Sequence, residues 1–229
     1  MNDIKYLILD FGKVLFKPTT GHWFITPKFL ELFDINKIDI DEFNNATKKF
    51  NNILDRKVIT ESEEYEMFYD FYDSVFKDIN YTNYTKEDLS SLAFDMTYGK
   101  SKYTIYDDTI ESLEKLSNKY KLLMLTDNWP CVLRIIEQYD IAKYFERVYV
   151  SSIYNCKKED GIFFDYPIND YSIKKGEALY IDDSDKLLSI GEEKRLEVLL
   201  MDRENKNLEV NHEIIHSLEE LVSTKINRR

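Results

Sequence analysis

Four short apolar runs in this chain end in residues that can do chemistry. Asp10 closes KYLILD and is followed at once by Phe11-Gly12-Lys13. Leu122–Thr126 leads into Asp127-Asn128, Val148–Val150 into Ser151-Ser152, and Ala178–Ile181 into Asp182-Asp183-Ser184. A carboxylate such as Asp10 can attack phosphorus and form an aspartyl-phosphate, splitting one hard hydrolysis into two easier steps. The Thr126 hydroxyl can hydrogen-bond a phosphoryl oxygen, Asn128 and the N–H groups of the turn can add donors, and a helix N-terminus near Pro130 favours an anion beside it. Asp182 and Asp183 repel each other and attract a cation, and Mg²⁺ takes one or two carboxylates together with waters and phosphate oxygens. Lys157 or Lys158 can neutralise charge on the nucleophile and on the transferring group. Together these residues describe a phosphoryl-transfer site.

Such groups need a sheet to hold them together. An apolar run, a polar residue and a turn is how a buried parallel strand delivers a side chain to the sheet edge, where ligands of open α/β sheets gather. From residue 103 onward strand and helix patterns alternate, which predicts a parallel sheet with right-handed crossovers. Asp107-Asp108 is expected to cap a helix through Ile110, Leu113 and Leu116, and a helix near Pro130 runs through Leu133, Ile136 and Tyr139. A further strand is expected at Leu196–Met201 and a final helix from Glu213 to Lys225, with His212 and His216 on one face of it. Between Phe16 and Tyr98 strand patterns vanish. Thr60-Glu61-Ser62-Glu63 reads as a capping box opening a helix through Tyr65, Phe68, Tyr69, Tyr72 and Phe76. Thr85-Lys86-Glu87-Asp88 opens another through Leu89, Leu92 and Phe94. The fold expected is α/β: a doubly wound, Rossmann-like parallel-sheet core from residues 1–15 and 99–229, with an all-helical insertion over 16–98.

The order and spacing of these pieces resemble the haloacid dehalogenase superfamily of hydrolases, in the branch with a helical cap inserted after the first strand. ILDFGKVLF, LLMLTDN, the lysine of NCKKEDGIFF and YIDDS carry the resemblance, which covers essentially the whole chain. It implies that Asp10 is both nucleophile and Mg²⁺ ligand, that the backbone carbonyl at Gly12 is a second metal contact, that Asp182 reaches the metal and that Asp183 supports it. It also favours Lys158 over Lys157, because Lys158-Glu159-Asp160 followed by an apolar pair matches the third motif with its prolines replaced. Gly12 departs from the commonest pattern. Most phosphatases of this type carry a second aspartate there as general acid and base, help worth roughly 10²–10⁴-fold. A subgroup with Asp-x-Gly exists, so turnover is not excluded.

The chain has 31 Lys and Arg against 43 Asp and Glu, a net charge of −12, which argues against nucleic acid or an anionic membrane as partner. A phosphate substrate is still allowed, since a bound divalent cation and one lysine can reverse the local field. Two cysteines, Cys131 and Cys156, are too few for a disulfide framework and lack metal-ligand spacing. Free thiols in a reducing, cytoplasmic compartment are expected. His22 and Trp23 sit where the chain enters the insertion, either packing there or touching substrate. The leading expectation is a Mg²⁺-dependent phosphatase acting on a small phosphorylated metabolite. One competing reading is a 2-haloacid dehalogenase, which needs no metal and lacks the second aspartate. Such an enzyme uses an arginine near the start of the cap, whereas Arg56, well inside it, is the sole arginine before Arg134. The other is a degenerate member that binds a ligand or partner without turnover.

Overall fold

The computed structural model describes residues 3–206 and 210–223. Along the chain the elements are β1 (Tyr6–Leu9), β2 (Phe16–Pro18), α1 (Pro27–Leu32), α2 (Ile40–Lys49), α3 (Asn51–Leu54), α4 (Glu61–Asp78), α5 (Lys86–Tyr98), β3 (Tyr103–Ile105) and α6 (Thr109–Ser117). There follow β4 (Lys121–Thr126), α7 (Cys131–Gln138), β5 (Phe145–Val150), α8 (Ser151–Tyr154), α9 (Asp165–Asp170), β6 (Ala178–Asp182), α10 (Asp185–Glu193), β7 (Glu197–Met201), β8 (Ile214–Ile215) and α11 (Leu218–Ser223).

The chain divides into two compact units. One comprises residues 1–17, 105–128 and 133–229; the other comprises 18–104 with 129–132. The first is the α/β unit, built on a six-stranded sheet in the order β5-β4-β1-β6-β7-β8. Its strand pairings are all parallel. β1, β4 and β6 are almost wholly apolar because helices cover both faces of a parallel sheet. Leu7, Ile8, Leu9, Leu123, Met124, Leu125, Leu179 and Ile181 are all fully buried. The doubly wound α/β fold expected from the alternation of elements is the fold observed.

The second unit is helical. Thr60 caps α4 in a reciprocal capping box with Glu63, and Thr85 does the same for α5 with Asp88. Those boxes satisfy N–H groups that a helix start leaves without partners. Phe29, Phe43, Phe68, Phe71, Tyr72 and Phe76 form its aromatic core. The Tyr72 hydroxyl, which burial alone would strand, donates to the Phe24 carbonyl at 2.7 Å. The bounds of this unit differ from the expected 16–98. Phe16–Pro18, expected to be helical, form the strand β2, the chain returns to the α/β unit at residue 105, and Trp129–Val132 joins the helical unit through contacts no local pattern reveals, including Trp129 Nε1 donating to Leu54 O at 3.1 Å.

Several local expectations are corrected. Asp108 occupies the N-cap position of α6 but gives that helix no side-chain bond. Its two oxygens instead accept from Arg203 Nη1, each at 2.8 Å, and Oδ2 also accepts from the Leu218 N–H at 2.7 Å. A charge-assisted pair outcompetes a single cap bond. Phe94 and Ile110, read as apolar-face residues, are 58% and 42% exposed. The helix expected over Glu213–Lys225 is shorter. Ile214–Ile215 is β8, added to the sheet edge beside β7, and α11 begins only at Leu218. The expected end at Lys225 lies outside the described residues. His212 and His216 therefore share no helix face. His212 lies between Asp185 and Glu192, and His216 Nδ1 meets the Asp202 carbonyl at 2.8 Å.

Candidate active site

Sheet order places the chemistry. Strand order reverses between β1 and β6, and the crevice beyond the carboxyl ends of such strands is where open α/β sheets bind ligands. Leu9 pairs in register with Ile181, so one residue further on Asp10 comes level with Asp182. The Asp10 N–H continues the ladder to Ile181 O at 3.1 Å. Oxygens of Asp10, Asp182 and Asp183 all lie within 4.8 Å of one another. Among the described residues this is the one such group of metal-ligating side chains.

Lys158 lies between the two strand ends. Its Nζ donates to Asp10 Oδ1 at 2.8 Å and to Asp182 Oδ2 at 2.6 Å, and its side chain is 3% exposed. The 3₁₀ turn Lys158–Asp160 presents it, and the Lys158 N–H donates to Asp127 Oδ1 at 3.1 Å. The choice of Lys158 over Lys157 thus has a geometric counterpart. Burial pushes the Asp10 carboxyl up to about 7, against the pull of Lys158. Burial also opposes the charge on Lys158, yet Asp10 and Asp182 hold its ammonium well above the ordinary lysine value. Asp183 and Asp127 are raised above the usual carboxylate range, in each case chiefly by burial.

The other expected residues are placed less directly. Thr126 ends β4, the strand beside β1, and is 2% exposed. Asn128 follows it, with its N–H donating to Ser151 Oγ at 3.1 Å and its carbonyl accepting from Ser152 N at 3.3 Å. Asp127 ties this segment to the turn that carries Lys158 by accepting from the Lys158 N–H. Gly12 sits in the turn after Asp10 and bridges to Phe16. His22 is a packing residue: its Nδ1 accepts from the N–H groups of Phe24 and Ile25 at 3.1 and 3.0 Å. Its Nε2 must then carry the proton and donate to Asn44 Oδ1 at 2.8 Å.

Two participants were missed from sequence. Tyr180, fully buried on β6, donates its hydroxyl to Asp182 Oδ2. Residues two apart on a strand share a face, so YID carried that signal. Its ring fits because position 191 is glycine, where a Cβ would lie 2.9 Å from Tyr180 Cδ1. The second is Lys13, whose Nζ lies 3.2 Å from Asp183 Oδ2.

The donor set fits a hard divalent cation. It is all carboxylate oxygen, which suits Mg²⁺ better than softer metals. Asp182 is partly committed already: Oδ2 accepts from Lys158 and Tyr180, and Oδ1 from the Ser184 N–H at 2.9 Å. One lone pair on Oδ1 is left for a cation.

Residues 4–186 match the model of a hydrolase family, the haloacid dehalogenase-like hydrolases. The chain belongs to that family. No curated protein matches it. Among solved structures it is similar to the HAD-hydrolase YfnB of Bacillus subtilis bound to magnesium, at 15% identity over 96% of this chain and 97% of that one, with a TM-score of 0.69. It is also similar to the L-2-haloacid dehalogenase of Xanthobacter autotrophicus (11% identity, 96% and 97% coverage, TM-score 0.69). A third is the 2-haloacid dehalogenase of Pseudomonas syringae pv. Tomato (13%, 95% and 96%, 0.62). At such identities the likeness establishes a shared fold, so the reaction must be argued from this chain's own side chains.

Proposed function

We propose that this hydrolase cleaves a small phosphate monoester through Asp10 with a divalent cation, most simply Mg²⁺, at Asp10, Asp182 and Asp183. The observation that carries this reading is the convergence of three carboxylates at the strand-order reversal. An anionic substrate would be repelled by that cluster unless a cation offset it, and a bound cation supplies charge neutralisation for the phosphoryl oxygens. The Asp10 carboxylate attacks phosphorus, the bond to the leaving oxygen breaks, and an aspartyl-phosphate forms. Water then attacks that phosphorus, releasing inorganic phosphate and returning the carboxylate. Lys158 holds Asp10 oriented and offsets charge through both steps. Thr126 and Asn128 are proposed to hold phosphoryl oxygens, and the Gly12 carbonyl to contact the metal. Gly12 has no side chain to protonate the leaving oxygen, so substrates with acidic leaving groups should be favoured.

A second reading, 2-haloacid dehalogenation, has support from the similar structures: two of the three above are dehalogenases by name. It uses the same nucleophile. Asp10 displaces halide from carbon, forming an ester that water hydrolyses. Against it, Arg56, the arginine nearest the start of the helical unit, pairs with Asp70 at 2.6 Å.

One experiment separates them. Release of phosphate from a monoester panel and of chloride from 2-chloropropionate are measured with and without EDTA, for wild type and Asp10→Asn. Phosphate release that needs both metal and Asp10 is the expected result. EDTA-insensitive chloride release would replace it with the second reading.

A further inference from the structure

Lys13 has a backbone conformation that lysine disfavours. Its φ is +55°, in the left-handed region, where a Cβ crowds the backbone and glycine is the usual occupant. The turn holds it there: its N–H donates to Phe16 O at 2.6 Å, and neighbouring Gly12 bridges to the same residue. Such positions persist when their surroundings over-determine them, and they cluster at functional sites. Here the side chain reaches back over the turn, and its ammonium stands 3.2 Å from Asp183 Oδ2. Asp183 is one of the three carboxylates of the candidate cation site, so the site already contains a positive charge of the chain's own. Three carboxylates face two ammonium groups, Lys158 and Lys13.

We propose that Lys13 is the residue that sets the cation affinity of this site. It occupies Asp183 as a resident counter-charge, so that a divalent cation must bind against its repulsion and draw Asp183 away from it. The inference rests on the metal-site reading above. Lys158 cannot have this role, because its ammonium is fixed between Asp10 and Asp182. Lys13 is 40% exposed at its side chain and can swing away into solvent. The free protein therefore binds Mg²⁺ weakly, and removing the charge at position 13 tightens binding.

The test is Mg²⁺ titration by calorimetry, without substrate, of wild type, Lys13→Gln, Lys13→Gly, Lys13→Arg and Asp182→Asn. Gln removes the charge and keeps a strained side chain. Gly removes both and relieves the backbone, which guards against a variant that fails to fold. Repulsion between a single and a double charge a few ångströms apart in a water-like medium corresponds to about tenfold in affinity. Lys13→Gln and Lys13→Gly should each bind Mg²⁺ about tenfold more tightly than wild type. Lys13→Arg should stay near wild type, and Asp182→Asn should lose binding. Unchanged or weaker affinity in both Gln and Gly variants, with Asp182→Asn still losing the ion, would overturn the role of Lys13 and leave the metal site standing. Absence of binding in every protein would overturn both.

Discussion

Lys158 and Lys102 are both buried lysines with carboxylates nearby, one in each unit, and their surroundings differ in kind. Lys158 spans two aspartates delivered by adjacent parallel strands, at an edge where the sheet order reverses. Lys102, 2% exposed in the helical unit, donates to the Met96 carbonyl and to Cys131 Sγ at 3.2 Å. Burial works against its charge, yet Cys131, Tyr103 and Glu64 keep its ammonium above the ordinary value. Glu64 caps Cys131 through that residue's N–H at 2.8 Å, while its Oε1 is buried with no partner found. Burial pushes Glu64 up to about 7, the same value as Asp10. A perturbed carboxyl beside a buried lysine is therefore not by itself the mark of a catalytic group. What separates the two is convergence of several carboxylates at strand ends in one case, and a helix start to be satisfied in the other.

Substitutions can break that distinction. Asp10→Asn should lower turnover by roughly 10⁴-fold or more, since it removes the proposed attacking group, with melting temperature at pH 8 no lower than wild type. A residual rate above one per cent in steady-state assays would end the assignment of Asp10 as nucleophile. Glu64→Ala should instead cost about 2 kcal/mol of stability in urea unfolding, because it leaves the buried Cys131 N–H without its acceptor. A loss under 1 kcal/mol would show that this bond contributes little.

The pH dependence sharpens the comparison further. The proposed attack needs Asp10 ionised, and its carboxyl is raised from 3.8 to about 7. Without metal, a reactive-carboxylate probe should therefore label it about tenfold more slowly per pH unit below pH 7 and level off above. A cation favours the charged form, so Mg²⁺ should move that limb to lower pH. The same raised value means the folded state holds a proton that the unfolded chain gives up. Asp10 thus subtracts stability as pH rises from about 4 to 7, and Asp10→Asn should flatten that part of the stability curve. The smallest expected effect is that of Tyr180→Phe. Losing one hydrogen bond to Asp182 should cost about 1 kcal/mol in stability, with a several-fold fall in turnover. Full activity in this variant would show that Lys158 and Ser184 suffice to orient Asp182.

Much of the site was readable beforehand because strand endings are local. An apolar run, a carboxylate and a turn are neighbours in sequence, so Asp10 and Asp182-Asp183 could be named with their elements. The capping boxes at Thr60 and Thr85 were legible for the same reason. Partners distant in sequence were not. Lys158 meets Asp10 and Asp182 only once the strands pair, and Gly191 on α10 is what leaves room for the Tyr180 ring. The C-terminal segment read as one helix because its apolar spacing fits a helix, but Ile214–Ile215 instead joins β7, which offers an unpaired edge.

The sequence by itself determined the alternation of strand and helix, the helical character of the inserted segment, and the residues delivered to the sheet edge. Each depends on patterns within a few residues, where side-chain periodicity and backbone hydrogen bonding decide the outcome. Only the tertiary structure decided which of those residues meet. Parallel pairing of β1 with β6 brings Asp10 level with Asp182 across 172 positions of chain, and the Lys158 ammonium, with two carboxylates to satisfy it, takes the space between them. The left-handed turn at Lys13 sends its charge to Asp183. Sheet order and turn geometry fix distances that no local pattern encodes, and electrostatic interactions depend on those distances.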